Sequence, residues 1–167
     1  AFDDGSNRLQ LMDKPKLELK PGKYRVWFEP HAVADFVDML NWNGVSEASL
    51  RNGSSCLLKM RKDNVKLSEK FSLDESFDRK STASFNSRSE VSANVSLIKH
   101  GMLENTLINS KTALEYGLTS NYAEDVNSWG MGEYLRAPFM HGGDIKLDER
   151  LEKLGTGIFI SNIHYLN

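Results

Sequence analysis

The sequence has one cysteine, Cys56, so it cannot form an internal disulfide bond. An unpaired thiol fits a reducing compartment better than a secreted one, and we expect a cytoplasmic protein. No stretch approaches the ~18 consecutive apolar residues of a membrane span. Basic charge is also lacking, since 21 Lys and Arg residues stand against 23 Asp and Glu residues. Nucleic-acid binding is therefore not expected.

The chain has the size and composition of one globular domain. It contains 167 residues, of which 40% are hydrophobic and 26% charged, and a chain of this length forms a single core. It starts without an initiator methionine or a signal peptide. Its last residues follow directly on an apolar run of strand type. We expect residues 1 to 167 to be a single domain that is a fragment of a longer protein.

A strand followed by a helix is predicted near the start of the chain. Residues 24 to 28 (YRVWF) are aromatic and β-branched, which is typical of a buried strand. Residues 31 to 40 place apolar side chains at the i, i+3, i+4, i+7 spacing of a core-facing helix. Gly44 is expected to end this helix in the left-handed conformation.

The rest of the chain predicts an α+β fold with a mixed, largely antiparallel sheet and a few short helices. Residues 52 to 90 are polar and predict a loop or lid. The further elements are a hairpin over 91 to 109 turning at His100-Gly101, a helix over 110 to 116 capped by Ser110, a helix over 145 to 154 with a leucine stripe, and a strand over 158 to 163.

His31, Asp35 and Asp38 form the strongest candidate site by spacing. They lie three and four residues apart, on the side of the predicted helix opposite its apolar stripe. One histidine and two carboxylates are donors that zinc or a harder divalent ion accepts. The same pattern is also produced by an ordinary solvated helix face. The solvated face is the preferred interpretation, and the metal site is the alternative.

The other reactive side chains show no motif. The four histidines never occur as HxH, HxxH or HExxH, and His100 and His141 are expected in solvent-facing loops. Cys56 adjoins two leucines and is predicted to be buried and inert. The stretch WGMGEY, residues 129 to 134, lacks the spacing of a phosphate-binding loop. The residues alone thus predict no catalytic or cofactor-binding site.

Three stretches, in order, resemble one protein family. They are KLELKPGKYRVWFEPHAVADFV at 16 to 37, VSLIKHGMLENTLINSKTALEYGLTSN at 95 to 121, and LEKLGTGIFISNIHYLN at 151 to 167. Together they resemble the C-terminal region of the TldD/PmbA (TldE) proteins, which are named as modulators of DNA gyrase and as TldD-related metallopeptidases. The resemblance covers nearly the whole chain.

The resemblance also implies where catalytic chemistry would lie. In TldD-type members the helix after the first strand carries an HExxxH motif, with two zinc-binding histidines and a glutamate base. On this chain, Asp38 and Met39 stand at the first histidine and the glutamate, and Asn43 at the second histidine. Neither a Lewis acid nor a base is then at hand for hydrolysis.

This departure resembles the PmbA (TldE) side of the family, which lacks the metal motif. It implies a non-catalytic subunit without a cofactor of its own, in a homodimer or in a heterodimer with a zinc-bearing TldD-type subunit. The implied substrate is a peptide or an unfolded protein. The alternatives are a divergent hydrolase using His31, Asp35 and Asp38, and a peptide-binding scaffold without a protease partner.

Overall fold

A computed structural model describes residues 5–6, 9–10, 12–79, 82–125 and 132–163. The fold is α+β, as predicted. Its helices include α1 (Pro30–Asp38), α2 (Glu47–Asn52), α3 (Leu58–Lys62), α4 (Ser110–Tyr116) and α5 (Arg150–Leu154). Its strands include β1 (Val26–Phe28), β2 (Leu73–Glu75), β3 (Val95–Lys99), β4 (Met102–Leu103), β5 (Glu124–Asp125), β6 (Glu133–Tyr134), β7 (Pro138–Met140) and β8 (Ile158–Ile160).

The largest sheet is antiparallel and has the strand order β4-β3-β2-β7. Strand β2 lies inside it, with Leu73 and Glu75 buried and Asp74 on the other face. The prediction of a loop or lid over residues 52 to 90 is therefore wrong in part, because α3 and β2 both fall in this range. Residues 52 to 90 are polar overall, and β2 has only three residues, too few for an alternation of apolar and polar side chains to be recognised.

The hairpin between β3 and β4 confirms the predicted turn. His100 and Gly101 both have positive φ, 48° and 76°, as the tightest hairpin turns require. A Cβ atom on Gly101 would lie 2.4 Å from the Leu67 carbonyl oxygen, so this position needs glycine for space as well as for conformation.

Two helix ends differ from the predictions by one residue. The left-handed residue after α1 is Asn43, with φ of 69°, and not Gly44. Gly44 is instead required by close packing, since a Cβ there would lie 2.8 Å from the Leu40 carbonyl oxygen. At α4 the cap is Asn109, whose side chain accepts the Thr112 amide hydrogen, and Ser110 is the first helical residue. Asparagine suits both positions.

The first and last strands, β1 and β8, form a parallel pair. Helix α1 contacts one face of the pair through the Phe28 and Phe36 rings, whose centroids lie 5.1 Å apart. Helix α5 lies near the other face, where Arg150 is close to the Phe159 ring. The helix predicted over 145 to 154 is a 3₁₀ turn at Leu147–Glu149 followed by α5, and only Leu154 of the three leucines in the predicted stripe is buried.

The hydrophobic core lies between the large sheet and the helices. Its buried members are Val37, Val45, Leu57, Met60, Leu73, Val95, Leu97, Ile98, Leu107, Ala123 and Leu135. Val37 anchors α1 in this core, as its helical spacing predicted. Among the described residues no helix is both long enough and apolar enough to cross a membrane.

A buried carboxylate links α2 to its neighbours. Glu47 accepts hydrogen bonds from Arg51 at 2.8 Å, Arg61 at 2.6 Å and Thr106 at 2.6 Å. Burial alone would raise the pKa of Glu47, but these partners outweigh it and lower the pKa from 4.5 to about 2. The charged form is thus favoured in the folded state, and the stability it contributes is present above pH 4.5.

We predict that Glu47→Gln lowers the free energy of unfolding at pH 7 by on the order of 2 kcal/mol, allowing for the partly exposed arginines. The difference in unfolding free energy between the variant and the parent protein should disappear as the pH falls from 4.5 towards 2, because Glu47 of the parent is then protonated and loses its charge. Urea titrations across this pH range measure it. Exposed Glu152→Gln serves as the control, and a gap independent of pH would contradict the prediction.

Candidate functional site

A cleft of about 420 Å³ lies beside α1. Pro30 occupies the first turn of this helix, where its missing N–H costs nothing. Ala32 and Val37 are buried, and they fix the helix against the core. The cleft runs along the neighbouring helix surface and is lined there by Pro30, Val33, Ala34, Val37, Asp38 and Asn41.

The opposite wall is the chain segment from Tyr134 to Met140. It lines the cleft with Tyr134, Leu135, Arg136, Pro138 and Met140. Asn41 ties the two walls together through the backbone of Leu135. Its Oδ1 accepts the Leu135 amide hydrogen at 2.7 Å, and its Nδ2 donates to the Leu135 carbonyl at 3.3 Å. This amide clamp fixes the distance between the walls at one point.

Glu133 anchors the same wall to two helix N-termini. Its carboxylate accepts hydrogen bonds from the Ser46 hydroxyl at 2.5 Å, the Ala48 amide at 3.4 Å and the Asn109 amide at 3.2 Å. Ser46 is the N-cap of α2, and Asn109 is the N-cap of α4. Negative charge at these positions is favoured by the helix dipoles.

A second buried carboxylate, that of Glu75, holds the next part of the wall. It accepts the amide hydrogens of Arg136 at 3.0 Å and Ala137 at 2.9 Å. Burial nevertheless raises the pKa of Glu75 above its usual value. Two glutamates thus position the segment that faces α1.

The cleft is mostly apolar, with a few polar groups at its margins. Its walls combine aliphatic side chains with the Tyr134 ring, while Asp38 and Asn41 supply oxygen acceptors. Asp38 Oδ1 already accepts a hydrogen bond from Asn41 Nδ2 at 3.0 Å. Apolar walls with a few oriented polar groups are common among ligand pockets.

His31, Asp35 and Asp38 lie on the exposed side of α1. The Asp35 carboxylate accepts the Ile163 amide hydrogen at 3.3 Å. Within the described ranges, no three His, Cys, Asp or Glu side chains are grouped closely enough to hold a metal ion. The structure therefore does not bring these three together as a ligand set.

Of the remaining histidines, His100 and His141 are exposed, as predicted. The sequence did not reveal that His141 Nε2 lies 2.6 Å from Asp74 Oδ2. His164 lies outside the described residues. Cys56 is exposed, so the prediction of a buried thiol is wrong. Partial desolvation raises the pKa of the Cys56 thiol, which disfavours a nucleophilic thiolate.

Residues 21 to 167 match the family model described as PmbA/TldA metallopeptidase C-terminal domain. The match covers most of the chain. The chain belongs to this family. The resemblance read from the three sequence stretches is thereby confirmed. No match was found among curated proteins.

Solved structures share the fold of this PmbA/TldD-family chain. A proposed modulator of DNA gyrase from Bacteroides thetaiotaomicron has a TM-score of 0.72 at 17% identity, covering 98% of this chain and 36% of its own. A proposed gyrase modulator from Thermotoga maritima has a TM-score of 0.70 at 19% identity, covering 88% of this chain and 34% of its own. TldE from Thermococcus kodakarensis has a TM-score of 0.67 at 16% identity, covering 88% of this chain and 35% of its own. The chain thus spans about a third of the length of these structures.

The residues that the resemblance aligns with the family's zinc motif do not have the donors of a zinc site. Asp38 is the last residue of α1, and Met39 begins a 3₁₀ turn. Asn43 has left the helix, and its Oδ1 is buried without a hydrogen-bond partner among the described residues. A thioether and an amide are poor zinc donors beside histidine, cysteine and carboxylate. Met39 also cannot accept a proton from water.

Sequence reasoning missed the second wall of the cleft. Gly132 and Glu133 belong to WGMGEY, which lacks the spacing of a phosphate-binding loop and was predicted to have no other role. The sequence feature that could have indicated this wall is the acidic Glu133 between Gly132 and the apolar residues that follow it. The role of Glu133 depends on α2 and α4, whose first residues, Glu47 and Ser110, lie 86 and 23 residues before it in the sequence.

Gly132→Ala is predicted to lower the unfolding free energy by about 3 kcal/mol or more. Gly132 has φ of +93°, and a Cβ there would lie 2.2 Å from Ser46 Oγ, the hydroxyl that donates to Glu133. Thermal and urea unfolding measure the change. Gly142→Ala is the matched control, since nothing lies within 4 Å of its Cβ position. Equal stability of the two variants would contradict the prediction.

Proposed function

We propose that this chain is a non-catalytic, PmbA/TldE-like member of its family, acting as a peptide-binding part of a peptide-processing protease complex. The observation that carries the proposal is the set of residues at the motif positions. Asp38, Met39 and Asn43 stand where catalytic members have two zinc ligands and a base. A TldD-type partner subunit would then supply the zinc and the hydrolysis.

The cleft beside α1 supports the peptide-binding part of this proposal. Its aliphatic walls suit apolar side chains of an extended peptide, and its few polar groups suit main-chain amides. The two walls are held by the Asn41 clamp and by Glu133, so the cleft is formed before a ligand binds. A preformed cleft loses less conformational entropy on binding.

Two alternatives lead to different expectations. A divergent hydrolase would hold a metal through His31, Asp35 and Asp38, which requires these exposed side chains to converge. A plain peptide-binding scaffold would use the same cleft without a protease partner, either as a monomer or as a homodimer. The charge of -2 argues against nucleic acid as the ligand of any of them.

We expect the purified chain to contain no zinc above background after incubation with zinc and desalting, because the motif donors are absent. Elemental analysis of the parent and of Asp38→Ala measures this. Near-stoichiometric zinc in the parent that is lost in Asp38→Ala would contradict the proposal and favour the divergent hydrolase. Co-purification with a protein carrying HExxxH would support the heterodimer over the scaffold.

Ala34→Trp is predicted to weaken the binding of an unstructured, apolar-rich fluorescent peptide by about tenfold or more. Ala34 is exposed on α1 and lines the cleft, so a larger side chain fills the cleft without disturbing the core. Fluorescence anisotropy measures the affinity. Ala83→Trp, exposed and outside the cleft, is the control. Unchanged binding in Ala34→Trp would place the peptide elsewhere.

A further inference from the structure

A second cleft, of about 440 Å³, lies on the outer face of the large sheet. In β2 the Asp74 side chain points to this face, whereas Leu73 and Glu75 are buried. Asp74 is paired with Ser96 of β3, so both side chains point to the same face. The second cleft shares no lining residue with the cleft beside α1. It is therefore a separate candidate site.

The middle of the second cleft is polar, and its side chains are held in place. His141 Nε2 lies 2.6 Å from Asp74 Oδ2, and the His141 amide donates to the Ser72 carbonyl at 3.0 Å. The Phe139 ring packs against the imidazole, with the ring centroids 4.8 Å apart. The Ser96 hydroxyl has no hydrogen-bond partner among the described residues. A hydroxyl, an imidazole and a carboxylate together can bind both the N–H and the C=O of a ligand amide.

One end of the second cleft is acidic. Asp78 lines this end, and its Oδ2 accepts a hydrogen bond from Asn94 Nδ2 at 2.8 Å. Asn94 is held in turn by the Phe77 amide, which donates to Asn94 Oδ1 at 2.8 Å. Asp78 forms no ion pair with any residue that the structure describes. Its charge is therefore positioned and available to a cationic group in the cleft.

The opposite end of the second cleft is basic. Lys99, the last residue of β3, lines the cleft and has no ion-pair partner within the described part of the chain. His100 follows at the hairpin turn, where its amide donates to Ser72 Oγ at 3.1 Å and its Nδ1 lies 3.4 Å from the Glu69 carbonyl oxygen. Five residues of β3 separate Lys99 from Asn94 at the acidic end, roughly 15 Å at the rise of a strand.

The charges and the length of the second cleft favour one class of ligand. A free ammonium at one end and a free carboxylate at the other complement a linear zwitterion. Phosphate dianions are more often bound by arginine, and no arginine lines the described part of this cleft. A divalent cation is not favoured, since no group of three His, Cys, Asp or Glu in the described ranges could hold one. An extended tripeptide spans about 10 Å, so side chains at both ends can reach its termini.

We infer that the second cleft binds a free short peptide, of about three residues, by its two charged termini. Asp78 binds the terminal ammonium, and Lys99 with His100 binds the terminal carboxylate. The Asp74–His141 pair lies beside the main chain of the ligand. Capture of peptide termini is a recurring mode of recognition. The inference does not rest on the proposed function, in which a longer peptide binds beside α1 through apolar side chains.

Titration of the isotope-labelled chain with tri-alanine, followed by NMR, tests the site. The amide signals of Asn94, Ser96 and Lys99 should shift as the peptide binds. N-acetylation or C-terminal amidation of tri-alanine should each weaken binding about threefold, since each removes one charge from the ligand. Ala34→Trp, which fills the cleft beside α1, should bind tri-alanine as the parent does.

Two charge variants assign the ends of the second cleft. Asp78→Asn should bind tri-alanine about threefold more weakly and should no longer distinguish it from the N-acetylated form, and Lys99→Gln should lose the preference over the amidated form. Asp148→Asn and Lys111→Gln, both exposed and outside the cleft, are the matched controls. The inference is overturned if tri-alanine shifts none of the cleft amides, if the blocked peptides bind as tightly as the free one, or if the Asp78 and Lys99 variants behave like the controls.

Discussion

The buried carboxylate of Glu133 is the interaction on which the arrangement of the cleft depends. A charge removed from water is costly unless donors surround it, and here the Ser46 hydroxyl and the amides of Ala48 and Asn109 supply them. The same three groups lie at the starts of α2 and α4. One side chain therefore satisfies two helix N-termini and fixes the start of the wall opposite α1. Gly132 is the residue that lets the backbone approach so closely.

Two further buried glutamates, Glu75 and Glu47, also join separate segments of the chain. Glu75 accepts the amides of Arg136 and Ala137, which continue the wall, and Glu47 joins α2 to Arg61 and Thr106. Their electrostatics differ, because guanidinium partners lower the pKa of Glu47 whereas burial raises that of Glu75. Glu75 takes up main-chain donors of the wall, whereas Glu47 binds side chains. The bonds of Glu133 and Glu75 fix the position of the irregular segment that faces α1.

The packing of helix α1 does not rest on the side chains that the resemblance aligns with the zinc motif. Helix α1 keeps its apolar anchoring in the core and its clamp to the second wall through Asn41. The resemblance aligns Asp38, Met39 and Asn43 with the zinc motif, and these three side chains cannot replace two zinc-binding histidines and a glutamate base. Family membership establishes the architecture, and the function proposed for this chain rests on these particular side chains.

The sequence by itself determined the fold class, the helix after the first strand, and the hairpin turn at His100-Gly101, because periodicity and turn residues are local signals. It also identified the family. Only the tertiary structure decided the role of Glu133, the central place of β2, and the exposure of Leu147 and Leu151. These depend on contacts between segments far apart in sequence: a buried glutamate is recognisable only when the helix ends it serves are in place, and a leucine stripe shows its spacing but not what covers it.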